Sequence, residues 1–186
     1  MIKKIGLIVV LVAIGFSFNS YNRANYKIVK DKPLTTLNVR CTYYYTPIIR
    51  VMDYGVGNSI TVHKGRKDYL LYISSADEQA LKTEGTGKLI CNTETLRGTF
   101  LINSDYTIVP YTMDSNGGRL SSNAIAVDNS IIPKGTKVIM NNQTFIASDV
   151  GGAIKENHID RFMGVMSVSE FNHAIKNRPE TVEIKF

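Results

Sequence analysis

At 186 residues, with 44% hydrophobic and 20% charged side chains, the chain has the size and composition of one ordinary globular domain with a real core. Its formal charge of +6 is scattered rather than gathered into runs, which argues against nucleic acid as a partner and leaves a mildly cationic surface suited to an anionic wall polymer or membrane. His63, His158 and His173 do not stand at metal-ligand spacings, and no phosphate-binding glycine loop or dinucleotide fingerprint is present, so neither a metal nor a cofactor is expected.

Lys3 and Lys4 precede an apolar run from Ile5 to Phe18 that gives way to the polar NSYNRAN. This reads as a signal peptide or uncleaved signal anchor over residues 1–20, followed by a linker over 21–36. No small-x-small cleavage site stands out, and no cysteine follows for a lipid anchor. The implied location is the periplasm, the cell envelope or the extracellular space. Membrane contact would come only through the N-terminal segment if it is retained, and a monomer is expected.

The segment LNVRCTYYYT reads as a strand ending at Pro47, and SITVH and KDYLLYISS read as further strands. Ser75 with Glu78 makes a capping box that opens a short helix, ADEQALKTE, stopped by Gly85. Extended structure resumes at EGTGKLICN and continues through TFLI, YTIVPY, the turn SNGG and AIAV. KVIM and TFIAS flank NNQ, whose asparagines tolerate the left-handed backbone of a tight hairpin. Ser167 and Glu170 cap a second helix, VSEFNHAIKN, which Pro179 stops before a last strand, VEIKF. Many short strands with two small helices argue for a mainly β fold that closes into a barrel and so removes its exposed edges.

Cys41 and Cys91 are the only cysteines. An exported location permits them to pair, and closing a loop of about 50 residues would stabilise by roughly 4 kcal/mol on the chain-entropy model. Two free buried thiols are the alternative.

The strand TFIAS delivers Asp149 to its end, next to Gly151 and Gly152. An acid half-buried at a barrel rim loses water on one side, which favours its neutral form and suits it to proton donation. The two glycines let the backbone turn and keep side chains out of the way of a bulky substrate. Asp160, taken as the end of the following loop, and Asp128, after AIAV, are its candidate companions.

AVDNSIIPKGTKVIM followed by FIASDVGGAIKENHIDRFMG resembles the three-aspartate (3D) domain, whose three aspartates fall on Asp128, Asp149 and Asp160. CTYYYTP and LKTEGTGKL resemble segments of longer relatives that include the membrane-bound lytic transglycosylase A family. The resemblance implies a double-psi β-barrel over residues 37–186 with a small β/α insertion around 54–100, acting on peptidoglycan glycan strands. It makes Asp149 the catalytic acid/base of a lytic transglycosylase, with Asp160 and Asp128 in support. Thr42, Tyr44, Glu84, Gly151, Gly152 and Lys155 are candidate substrate-binding residues. Val150 stands where the family has threonine and Glu156 where it has glycine, departures that support an expansin-like wall-binding module as one alternative; a hydrolase on the same cleft, with Asp160 activating water, is another.

Overall fold

The computed structural model describes residues 34–115 and 117–186, so the segment read as a signal peptide or anchor, and nearly all of the linker read beside it, lie outside the described residues. In chain order the elements are β1 (Thr36–Arg50), β2 (Asn58–Lys64), β3 (Lys67–Ile73), α1 (Ser75–Glu84), β4 (Thr86–Asn92), β5 (Arg97–Asn103) and β6 (Ile108–Val109). They continue with β7 (Ala124–Val127), β8 (Lys137–Met140), β9 (Gln143–Asp149), β10 (His158–Met166), α2 (Val168–Ile175) and β11 (Thr181–Lys185). Among the described residues no helix is long and apolar enough to cross a membrane.

Six strands close the double-psi barrel in the order β1, β10, β7, β9, β8 and β11, with β11 returning antiparallel to the first residues of β1. Its interior is packed with Val39, Ile125, Val138, Phe145, Ile159 and Ile184. The hairpin between β8 and β9 turns at Asn141 and Asn142, with φ of 50° and 59°, the left-handed pair that asparagine accepts most readily after glycine. The capping box of α2 forms as the sequence indicates, with Ser167 and Glu170 each bonding the other's backbone N–H.

β1 is long enough to serve two sheets. Its first part pairs parallel to β10 as far as Pro47, and Ile48 to Arg50 then pair parallel to Lys88 to Ile90 of β4. Pro47 therefore does not end the strand as its sequence position suggests. It sits at the handover between partners, next to an irregularity in register between Tyr44 and Thr46, where a missing N–H costs least. Beyond it a second core, with Ile49, Leu71, Ile73, Leu81, Leu89 and Ile102, joins β4 and β5 to the β2–β3 hairpin and to α1.

Two other sequence readings are corrected. The N-cap of α1 is Ser74, whose side chain accepts from Asp77 N, so Ser75 and Glu78 do not form the capping box. Glu78 instead takes the Lys82 ammonium one helical turn further on and the Asn58 amide, the second a neighbour only once the hairpin packs on the helix. Asp160 lies within β10 rather than at the end of a loop.

The thiols of Cys41 and Cys91 are free. Cys41 is buried in the barrel core and Cys91 in the second core. The register Arg50↔Ile90 sets Cys91 level with Val51, ten residues along β1 from Cys41 and hence roughly 30 Å away at the rise of a strand, far beyond the span of a disulfide.

Gly87 marks a tight point of the second core, where an added Cβ would run into Ile49 Cδ1 and lie 3.1 Å from Leu81 Cδ1. Gly87→Ala is expected to destabilise the protein by about 1–3 kcal/mol through overpacking, measured by urea unfolding.

Candidate active site

Asp149 ends β9 and Asp160 sits in β10, on strands that flank β7 from opposite sides. With Glu84, the last residue of α1, they line one cleft of about 260 Å³. Tyr44 and Phe162, with ring centroids 5.2 Å apart, pack with Leu120 and Ala124 beneath it. Alternation along β1 and its bulge sort the three tyrosines. Tyr43 packs on the barrel core, Tyr44 lines the cleft, and Tyr45 stacks on Phe171 of α2 at 4.0 Å while also reaching the cleft wall.

The two oxygens of Asp149 are held differently. Oδ1 accepts the backbone N–H groups of Ser115, at 2.8 Å, and Val150, at 2.9 Å, while Oδ2 has the Tyr44 hydroxyl at 3.4 Å. An oxygen engaged by two N–H donors is a poor seat for a proton, so a proton on this carboxyl sits on Oδ2. The Tyr44 phenol is pushed well above its ordinary value by burial first, then by the carboxylates of Asp149 and Asp160, which keeps it a donor. Val150 orients Asp149 through its backbone, so the absence of a threonine hydroxyl at this position leaves the carboxyl anchored.

Asp160 Oδ1 accepts the Thr42 hydroxyl at 2.9 Å. Burial raises the Asp160 carboxyl above the usual carboxylate range and the charge of Asp149 adds to this, against the Thr42 hydrogen bond and the charge of His158. Glu84 is raised further, to about 7, by burial first and then by Asp160, with the Tyr45 N–H at 3.3 Å opposing. Its place at the C-terminus of α1, the negative end of the helix dipole, acts in the same direction as burial.

Asp128 does not line the cleft. Its Oδ1 accepts Ser130 N and Oγ, and its Oδ2 accepts Glu156 N at 2.9 Å, which ties the loop after Gly152 back to β7. These bonds pull the carboxyl down to about 2, so the tie stabilises the fold above the ordinary value of 3.8 and is lost as pH falls through about 2. Lys155 lies outside the cleft on the far side of the same loop, exposed and near Asp128. Gly151 and Gly152 line the cleft without the left-handed φ that a sharp glycine turn would need. A Cβ on Gly151 would stand 2.8 Å from Ile154, whereas Gly152 faces open space. Thr42 stands behind Asp160 rather than in the wall. Sequence reading missed the segment that carries Thr112, Met113 and Ser115 and closes one side of the cleft, because a polar loop has no periodicity to announce it.

The barrel thus sets one aspartate at the end of β9 and a second in β10, with β7 between them. Residues 123–173 match the family model of the 3D domain, so that part of the chain carries a 3D domain. The chain's fold is that of MltA. It is similar to Escherichia coli MltA, solved with bound chitohexaose, at a TM-score of 0.59 and 16% identity over 80% of this chain and 71% of that one. It is also similar to a membrane-bound lytic murein transglycosylase from Agrobacterium tumefaciens (TM-score 0.56, 12% identity, 82% and 76% covered). Neisseria gonorrhoeae MltA gives a TM-score of 0.53 at 11% identity, with 82% and 75% covered. No curated protein sequence matches the chain.

Two measurements test this geometry. Glu156 holds a φ of 54°, a conformation that costs a residue with a Cβ on the order of 1 kcal/mol, so Glu156→Gly is expected to raise stability by about that amount in urea unfolding. Between its ordinary value of 4.5 and about 7, Glu84 binds more proton in the folded than in the unfolded state, so its contribution makes stability fall as pH rises through that window. Glu84→Gln is expected to flatten that decline, seen as a smaller drop in thermal midpoint from pH 5 to pH 8.

Proposed function

We propose that the protein is a peptidoglycan lytic transglycosylase that cleaves the β-1,4 bond between N-acetylmuramic acid and N-acetylglucosamine with Asp149 as its single acid/base. The observation that carries this reading is the asymmetric hold on Asp149. Oδ1 is fixed by two backbone N–H groups and Oδ2 is left beside the Tyr44 hydroxyl in the carboxyl-lined cleft. Support comes from the shared fold with MltA, one structure of which holds a chitohexaose, a chain of sugars.

Protonated Asp149 donates from Oδ2 to the glycosidic oxygen, because an alkoxide is a poor leaving group, and positive charge develops at the muramyl anomeric carbon. The resulting carboxylate takes the proton of the muramyl 6-hydroxyl as that oxygen attacks the anomeric carbon, closing a 1,6-anhydro ring and returning Asp149 to its starting form. Asp160, ionised, stabilises the oxocarbenium-like centre. Glu84, about half protonated near pH 7, donates a hydrogen bond to a sugar oxygen. Peptidoglycan lies outside the cytoplasmic membrane, so this function goes with export, and a single copy of the chain supplies the whole cleft.

Incubated with purified sacculi, the protein is expected to release 1,6-anhydromuramyl products, identified by mass spectrometry. Asp149→Asn should lower the rate by about a thousandfold while keeping the thermal midpoint within a few degrees. Reducing-end products instead would make the protein a hydrolase, and binding without release a wall-binding module. If Glu84 acts as a donor, activity falls as pH rises through about 7, and Glu84→Gln removes that limb while retaining turnover.

A further inference from the structure

We infer that His158 is a positioning residue that fixes the direction of the hydrogen-bond chain ending on Asp160, and that it exchanges protons with the cleft through Thr42. The inference rests on the proposed reading, in which Asp160 works as an ionised group in the cleft. Parallel pairing of β1 with β10 matches Arg40 with His158 and Thr42 with Asp160, which brings the Thr42, His158 and Asp160 side chains together on one face. Thr42 Oγ1 lies 2.9 Å from His158 Nε2 and 2.9 Å from Asp160 Oδ1.

A hydroxyl has one proton to give. When Asp160 is ionised that proton goes to Oδ1, and the contact with His158 is a hydrogen bond only if Nε2 carries a proton and donates. The opposite arrangement, Thr42 donating to a bare Nε2, requires a proton on Asp160. The histidine tautomer and the charge on Asp160 are therefore linked through one oxygen. From the imidazolium, the Nε2 proton passes to Oγ1 as Thr42's own proton passes to Oδ1. His158 is then neutral with its remaining proton on Nδ1, Asp160 is neutral, and Thr42 has broken one O–H bond and made another.

Asp160 lines the cleft and half-buried His158 does not, so the chain runs from outside the cleft into its wall. The charged groups around His158 are Arg40, its register partner on β1, Asp160 on its own strand, and Asp128, which directly follows β7 one residue beyond the Ile159↔Val127 pair. The charges of Asp160 and Asp149 repel, so an Asp160 kept ionised by the Thr42 hydroxyl favours the proton on Asp149 between turnovers, and His158 holds that state by donating to Thr42.

The test uses the full chain with 15N-labelled histidine. At pH 7.5, long-range proton–nitrogen correlation of the His158 ring, assigned by its loss in His158→Gln, is expected to show the Nε2–H tautomer, and Thr42→Val to abolish that preference. An Nδ1–H ring with bare Nε2 in the wild type overturns the inference, whatever the outcome on sacculi. On glycan strands, His158→Phe is expected to lower kcat about tenfold at unchanged KM. His158→Gln, whose amide N–H can take the place of Nε2–H, should restore kcat. Equal loss in both variants, at wild-type thermal midpoints, would also overturn it. A wild type that cleaves nothing would sink the proposed function, and the ring tautomer would still decide the linkage.

Discussion

Parallel pairing between β1 and β10 is the contact on which the site depends. From Arg40 to Tyr44 each residue of β1 has a fixed neighbour on β10, so the same register that closes the barrel sets Thr42 against Asp160 and Tyr44 against Phe162. A slip of one residue would turn Asp160 toward the packed interior and Ile159 toward the cleft. Burial of Val39, Cys41 and Ile159 on the opposite face opposes that slip, so the hydrophobic core indirectly sets the position of the carboxyl.

The handover at Pro47 has the second large effect. Because β1 leaves the barrel and joins β4, the second core, with α1 packed in it, is attached to the same strand that forms the barrel wall. Glu84 reaches the cleft only through this attachment, and a single backbone N–H, that of Tyr45, ties it to β1. The cleft therefore has a wall from each core, and the raised Glu84 is a product of tertiary packing more than of its local sequence.

Much of this was legible in the sequence, unevenly. The Asn141–Asn142 hairpin and the Ser167–Glu170 box carry local signals that tertiary structure has no reason to override, and both form. β10 escaped because His158, Asp160 and Arg161 break the apolar alternation that marks a strand, and the first two are polar for the sake of the cleft face. Ser74 and Ser75 are equally good caps by type, and only the path of the chain out of β3 selects the first. The three aspartates stood out through the resemblance to the 3D domain, but that resemblance could not separate a carboxyl that faces the cleft, such as Asp149, from one that staples a loop, such as Asp128. The accumulation of burial and charge on Glu84 was beyond reach, since it arises among residues distant in sequence.

The placement of the two thiols in separate cores bears on how the molecule matures. Nothing in either core needs an oxidant to complete it, since packing and strand pairing alone hold residues 34–186 together. Such a chain reaches the same final form in a reducing cytosol and in an oxidising envelope. Its assembly is indifferent to the thiol chemistry of the compartment, and no foldase that shuffles sulfur bridges has any work to do on it.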